Sequence, residues 1–404
     1  MSPPLGGGAG DGVAWRLLAG ALLASTVVVL PAIMLGAVAV LVRRELAFGE
    51  AALGVAVAVF ALASTLTSAP GGRLSERVGA TRTMTAGVLL SGAGLLAIAL
   101  AVSSWGGLVA CLAVAGIGNG LTQPATNGVL SGVINPARQG IAFGVKQAAI
   151  PFAGLLSGIT LPLIALRAGW RWSFGAGGVL ALVVALLVLR ARALIRHRDD
   201  RGPMPLDGED HAPLRPLLII TVAAGMASMA ANAVGAFYVE SSVDAGVSPA
   251  ASGWWLAVGG ATGMLARTWW GWLADRRQGR HLVFVGWLMA VGALGLVLLA
   301  LRPATGPLLA AGTVLTYGAS WGWPGVFNYA IVRQSRAEPS AATGVTQSGL
   351  FAGQLVGPPI FGWLVEQGSY RLAWGSFAAL LVVAAALLRF GRARLLAERA
   401  AGAG

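Results

Sequence analysis

Twelve long apolar stretches fill most of this 404-residue chain, and they limit the folds open to it. Each is long enough to cross a hydrocarbon layer of about 30 Å, which takes roughly 20 helical residues. Hydrophobic residues make up 56% of the chain and charged residues only 11%, so a soluble domain would lack an adequate polar surface. We therefore predict twelve membrane spans, numbered in chain order. They cover residues 16–42, 51–71, 83–103, 107–133, 139–166, 171–190, 216–240, 250–271, 282–302, 307–332, 341–366 and 371–390.

The first six spans recur in the last six at a spacing of 199 or 200 residues. Glu45 matches Asp244 at 199 and, after one inserted residue, Gln147 matches Gln347 at 200. Six spans return the chain to the same side of the membrane, so the repeat is parallel. We predict an all-α membrane protein with 12 transmembrane helices in two pseudo-symmetric six-helix bundles. A repeat of whole halves is typical of secondary transporters, which hold the substrate between the halves near mid-membrane.

Local composition divides the chain into five segments. Residues 1–15 are rich in glycine and proline at their start and are predicted to be a disordered cytoplasmic N-terminus. The two six-helix bundles cover 16–190 and 216–390. The polar stretch between them, 191–215, is predicted to be a cytoplasmic linker, and 391–404 a cytoplasmic tail.

The net charge of +13 indicates orientation rather than a nucleic-acid partner. Basic residues lie mostly between spans, and one alternate set of loops holds far more of them than the other. We therefore predict a protein of the cytoplasmic (inner) membrane, and by the positive-inside rule both termini lie in the cytoplasm. The lipid bilayer is therefore expected to surround the protein, and no nucleic-acid partner is expected.

Cysteine and histidine usage gives no sign of a metal or a cofactor. Cys111 is the only cysteine and falls inside a span, which excludes disulfides and thiolate metal sites. His197, His211 and His281 fall in inner loops and form no cluster. The chain also has no glycine-rich ATP-binding loop, so transport would be driven by gradients.

Two short loops carry matching motifs. Between spans 2 and 3 the chain reads GRLSERVG over 72–79, and between spans 8 and 9 it reads GWLADRRQGR over 271–280. Both resemble the Gly-x-Leu-Ala-Asp-Arg-x-Gly-Arg signature of the major facilitator superfamily, and the span pattern extends that resemblance over nearly the whole chain. The first copy has Glu in place of Asp, and the second carries one extra residue.

The resemblance implies a gating role for four residues of these loops: Glu76, Arg77, Asp275 and Arg276. In the family such loops are implied to hold the cytoplasmic side closed and to separate when the protein opens inward. The alternative is that the arginines serve only as orientation charges.

Two cations fall within predicted spans, where a charge costs at least about 2.5–3.5 kcal/mol. Lys146 in span 5 is the only lysine, and its repeat partner is Thr346. It is predicted to contact an anionic substrate; the alternative is a side chain that snorkels to the headgroups. Arg267 in span 8 is predicted to complete a paired cationic site, or alternatively to bind Asp275 or Glu76 in the gate.

Uncharged polar and aromatic residues recur at helical spacing on single faces of spans 4, 10 and 11. Span 7 adds one such residue, and another lies next to Lys146 in span 5. The resemblance implies that spans 1, 4, 7 and 10 line the cavity, so these residues are predicted to bind substrate; the alternative is hydrogen bonding between helices. They are Asn119, Gln123, Asn127, Gln147, Asn232, Tyr317, Trp321, Asn328, Gln347, Phe351 and Gln354. Four prolines are predicted to kink their spans: Pro31, Pro124, Pro151 and Pro324.

Acids are absent from the middle of the predicted spans, which disfavours export of cationic drugs by proton exchange. The leading hypothesis is a monomeric secondary transporter that moves a small organic anion, of the carboxylate type, by alternating access. It would act as a symporter or antiporter with a coupled ion or counter-substrate. The alternative is efflux of hydrophobic drugs through an apolar cavity. That cavity would be formed by Met34, Trp321, Trp323, Phe327 and Phe351.

A membrane enzyme or receptor is the remaining class. It would require an acid–base or metal constellation, or an appended soluble domain, and the sequence provides neither. We therefore expect a transporter and not an enzyme.

Overall fold

The computed structural model describes residues 9–131, 139–190, 214–276, 279–334 and 339–402. These residues are almost entirely helical and contain no strand. They form twelve spans in the predicted order. The predicted all-α class and the twelve-helix arrangement are therefore confirmed.

In the first half, five spans are continuous helices and one is divided. Span 1 is Ala9–Leu46, span 2 Glu50–Val78, span 3 Ala80–Ala101, span 4 Trp105–Ser131 and span 6 Trp170–Arg190. Span 5 consists of Gln139–Gln147, Ala149–Thr160, a π-helical segment at Leu161–Ala165 and a last turn at Leu166–Ala168.

The second half repeats this plan, but its divided span is span 10. Span 7 is Leu214–Asp244, span 8 Pro249–Arg276, span 9 His281–Ala300, span 11 Pro339–Gln367 and span 12 Tyr370–Gly402. Span 10 consists of Gly306–Leu315, a π-helical segment at Thr316–Ser320, a turn at 321–323 and Pro324–Gln334.

Ten of the spans are long and apolar enough to cross a membrane by length and composition alone. Span 8 has a lower mean hydropathy because it carries five tryptophans, which are amphipathic and typical of the membrane interface. Span 10 falls short because the π-helical segment and the turn divide it into shorter pieces. Spans 8 and 10 nevertheless pack against the other spans, so all twelve belong to the bundle.

The first and last helices extend beyond the predicted spans 16–42 and 371–390. The first helix already includes residues 9–15, and the last continues through 391–402, the predicted tail. Extending an existing helix costs far less than starting one, so the helices continue past the apolar segments. The predicted disordered terminus, linker and tail otherwise lie at 1–8, 191–213 and 403–404, outside the described residues.

Glycines set the contacts between the halves. Spans 1 and 7, 2 and 11, and 5 and 8 pack against each other across the interface. A Cβ at Gly158 of span 5 would lie 2.5 Å from the backbone N of Ala257 in span 8, and one at Gly144 would lie 2.5 Å from the carbonyl O of Arg267. Such close backbone approach is possible only with small residues, as is usual for helix packing in lipid.

Candidate functional site

Spans 5 and 10 both break where they face the interface between the halves. In span 5 the break lies at Ala148. Pro151 has no N–H, so the Gln147 carbonyl loses the donor four residues ahead. In span 10 the π-helical segment leads into the turn at 321–323 before Pro324 starts a new helix. Irregular backbone is tolerated at membrane depth only where it is buried in protein or lines a cavity.

Arg267 of span 8 joins these two breaks. Its side chain is buried, with 2% exposed. Nε donates to the carbonyl of Trp321 at 2.5 Å, and one terminal nitrogen donates to the carbonyl of Gln147. Both hydrogen bonds go to main-chain oxygens, so neither predicted role, the paired cationic site or the acid-bound gate, describes these contacts.

Lys146 is the other buried cation, with 7% of its side chain exposed. Its Nζ donates to Oδ1 of Asn127 in span 4 at 2.6 Å. Among the described residues no carboxylate forms an ion pair with it. The ammonium therefore points to the polar face of span 4 in this structure, where Asn127 is exposed.

The predicted polar face of span 4 forms a hydrogen-bonded row. Gln123 donates to Oδ1 of Asn119 at 3.2 Å, and Asn119 donates to Oγ of Ser64 in span 2 at 3.0 Å. Ser64 in turn donates to main-chain oxygens. Ser64 was not among the predicted site residues, although it lies on the same helix face as Thr67 and Gly71, which also pack on span 4.

The predicted residues of spans 7 and 11 lie on the other side of the interface. Asn232 donates to the carbonyl and hydroxyl of Ser228, which donates to the carbonyl of Leu350 at 2.7 Å. Asn232 thus bonds within span 7, and Ser228 makes the hydrogen bond between helices. Three predicted residues of span 11 are partly buried: Gln347, Phe351 and Gln354. Gln147 of span 5, in the first half, is partly buried as well.

Span 10 contributes buried side chains around its break. Trp321 is 2% exposed and donates its indole N–H to the carbonyl of Ala231 at 2.6 Å. Tyr317 is fully buried between the rings of Tyr238 and Trp321. The Tyr317 hydroxyl and Oδ1 of Asn328 have no hydrogen-bond partner among the described residues.

The aromatic residues of the efflux alternative are mostly core. Met34, Trp321, Trp323 and Phe327 are each at most 2% exposed, and the Trp323 and Phe327 rings pack edge to face at 5.4 Å. Phe351 alone is partly exposed. Their packing gives no support to an open apolar cavity.

The four predicted gating residues occupy different surroundings. We call the side of the bundle with residues 72–79 and 271–280 the motif side, and the opposite side the far side. Asp275 accepts a hydrogen bond from the backbone N–H of Ile141 at 2.9 Å, so it caps the start of span 5 from the other half. A carboxylate is favourable at a helix N-terminus because the first N–H groups are unpaired.

Among the described residues, the other three gating residues make no hydrogen bond to the opposite half. Glu76 and Arg77 are exposed. The exposed guanidinium of Arg276 lies over the ring of Trp272, 3.9 Å from its centroid. Tryptophan and arginine together are typical of a membrane interface.

A charged cluster on the far side was not predicted. Arg43 pairs with Glu50 at 2.9 Å and with Glu240 of the other half, which also accepts from the Tyr370 hydroxyl at 3.1 Å. These residues line a cavity of ≈ 290 Å³. The sequence placed Glu240 at a span end, but only packing reveals that it is 6% exposed.

Comparison with known proteins decides the family. The model of the Major Facilitator Superfamily matches the chain twice, over residues 17–223 and 217–403. The chain belongs to this superfamily. The two matches correspond to the two halves of the repeat, and with the multi-pass helical bundle they identify a membrane transporter that works by alternating access. No curated protein matches the chain.

Solved structures support the same fold. A bacterial homologue of the human lysosomal transporter Spinster, in an inward-facing and occupied conformation, aligns with a TM-score of 0.71 and 16% identity over 93% of this chain and 96% of its own. The proton:xylose symporter XylE, bound to 6-bromo-6-deoxy-D-glucose, aligns with a TM-score of 0.67 and 18% identity over 94% and 95%. At these identities the likeness shows the fold alone.

Proposed function

We propose that this transporter moves a small organic anion, of the carboxylate type, across the cytoplasmic membrane with its motif side in the cytoplasm. It would act as a monomer and as a symporter or antiporter. The observation that carries the proposal is Lys146, a buried cation in a helix that packs on the other half, whose described hydrogen-bond partner is a neutral amide. A buried ammonium without a carboxylate is costly, and an anionic substrate would balance its charge.

The polar row of span 4 supports the same proposal. Asn119, Gln123 and Asn127 extend from Ser64 to Lys146 along one helix face. Amide groups offer both donors and acceptors, so they can orient a carboxylate next to the ammonium. The predicted residues on spans 10 and 11 would have to complete the site from the opposite half when the substrate binds.

The experiment compares carboxylates with their neutral amides. Purified protein is heated with benzoate, lactate or succinate and, separately, with benzamide, lactamide or succinamide. A ligand that binds only the folded state raises the melting temperature by mass action. At least one carboxylate is expected to stabilise the wild type, while its amide does not.

Variants at Lys146 assign the effect to this residue. Lys146→Ala is expected to lose the carboxylate response, and Lys146→Arg to retain part of it because the charge remains. Arg190→Ala, which removes an exposed positive charge at the end of span 6, serves as the control. The proposal fails if the amide stabilises as well as its carboxylate, or if Lys146→Ala responds like the wild type.

A further inference from the structure

We propose that Arg267 is a positioning residue for Lys146: it supplies the hydrogen bond that Pro151 removes from span 5 and so fixes the backbone next to Lys146. The significance for transport rests on the proposed function, in which Lys146 binds the substrate. The hydrogen-bond bridge itself rests only on geometry and can be tested without any ligand.

The first step concerns the acceptor in span 5. Ala148 N bonds to the carbonyls of Gly144 and Val145 at 3.0 and 3.1 Å, and Phe152 N bonds to the carbonyl of Ala148 at 2.9 Å. The Gln147 carbonyl between them would pair with the N–H of residue 151, which is proline. A terminal nitrogen of Arg267 takes that place.

The second step concerns the anchor in the other half. Nε of Arg267 donates to the Trp321 carbonyl, and the Trp321 indole is itself held by the carbonyl of Ala231. A Cβ at Gly235 would lie 3.1 Å from the same indole ring, so span 7 packs directly against it. Arg267 is therefore held in the second half while it reaches into the first.

The third step concerns the choice of arginine. A guanidinium presents several N–H donors in a rigid fork, whereas a lysine ammonium is a compact point charge on a flexible stem. Two carbonyls from two different spans accept from one side chain here. Arginine is thus the basic residue suited to this bridge.

The consequence for Lys146 follows from chain connectivity. The Gln147 carbonyl lies directly after Lys146, whose Nζ is held by Asn127. Without the hydrogen bond from Arg267, the backbone at the break would be less constrained, and the ammonium on the adjacent residue would be held less firmly against span 4. The orientation of Lys146, the proposed substrate-binding residue, therefore depends on contact between the halves at Arg267.

The test uses the fact that Lys146 is the only lysine in the chain. A water-soluble acetylating reagent then modifies only Lys146 and the terminal amine, and peptide masses separate the two. Arg267→Met is expected to speed acetylation of Lys146 by at least about tenfold, the size of effect expected when a hydrogen bond to a charged group is lost. Arg190→Met, at the exposed end of span 6, should leave the rate unchanged.

Pro151→Ala provides the rescue. Alanine restores the N–H for the Gln147 carbonyl and keeps the Cβ that packs near Gly263. In the Arg267→Met background it should return the rate to within about twofold of wild type, which a merely structural role of Arg267 would not predict. Arg267→Lys should give an intermediate rate at Lys146, with the added lysine followed separately in its own peptide, and it replaces Arg267→Met if that variant does not fold.

The outcomes are distinct. An unchanged rate in Arg267→Met, or in Arg267→Lys if that is measured instead, overturns the inference, and so does a double variant that Pro151→Ala fails to rescue. Absence of carboxylate binding to the wild type would refute the proposed function, but the labelling rates would still decide the bridge because they need no substrate.

Discussion

Span 5 and its repeat partner, span 11, begin with closely related sequences and end in different structures. Both contain the pattern Gly-Val-x-Gln, with Lys146 at the variable position in span 5 and Thr346 in span 11. Span 11 is one continuous helix in which the Thr346 hydroxyl donates to the carbonyls of Ala342 and Thr343 in the same helix. Span 5 is broken, and Lys146 reaches span 4 instead. The repeat thus provides the scaffold, and the departures from it locate the candidate site.

The largest effect is expected when span 5 is made more like span 11. Lys146→Thr gives it the partner's residue and removes the ammonium. Carboxylate binding should weaken at least about tenfold, because a charge-assisted hydrogen bond is lost. Thermal-shift titration with the best carboxylate measures this. Thr346→Val is the matched control, and a comparable loss of affinity there would show that the two positions do not differ in function.

A second effect concerns the paired glycines of the two spans. Gly144→Ala would place a Cβ 2.5 Å from the Arg267 carbonyl, whereas Gly344 has nothing within 4 Å. Overpacking against backbone costs about 1–3 kcal/mol, so Gly144→Ala should melt at a lower temperature. Gly344→Ala should be neutral or slightly stabilising, since alanine favours helix. Equal melting temperatures for the two variants would contradict the asymmetric packing.

A smaller effect is expected at the motif acids, which are also repeat partners. Asp275 caps span 5 from the other half, while Glu76 is exposed. Asp275→Asn keeps an acceptor but loses the charge, which is worth about 0.3–1 kcal/mol at a helix N-terminus. The motif side should then open more often. Thiol labelling of Ser348→Cys in a Cys111→Ala background should quicken with Asp275→Asn and not with Glu76→Gln; the reverse order would reject the gating assignment for Asp275.

The smallest effect is expected at Arg276. Its guanidinium lies over Trp272 at an exposed position, and surface substitutions usually change stability by less than about 0.5 kcal/mol. Arg276→Met should therefore leave the melting temperature and carboxylate binding nearly unchanged. A marked change in motif-side thiol labelling would instead give Arg276 the gating role that the motif implies.

Much of the fold was predictable because its signals are local. Twelve apolar stretches, a repeat and two motifs required only length, composition and spacing, and the helices occur in the predicted order. The ends of the chain were less predictable, because the sequence marks where the apolar segment stops and not where the helix stops. The helices continue into residues 9–15 and 391–402 for that reason.

The breaks were harder to predict than the spans. Of the four prolines expected to kink their helices, Pro31 and Pro124 lie inside continuous helices, while Pro151 and Pro324 lie at breaks. A proline frees a carbonyl in every case, but the outcome depends on what lies opposite. Only packing brings Arg267 to the carbonyl freed by Pro151. The sequence offered two signals. One is an arginine inside a span with no acid at the same depth, and the other is a proline four residues after Gln147.

The most direct test of the account is protection of Lys146 in reconstituted vesicles. The single lysine is acetylated in the presence of benzoate, lactate or succinate, or of the matching amide, at equal concentration. The account predicts that at least one carboxylate slows the reaction at Lys146 and leaves the terminal amine unaffected, while its amide gives no protection. Equal protection by amide and carboxylate, or none by any of the three anions, would contradict it.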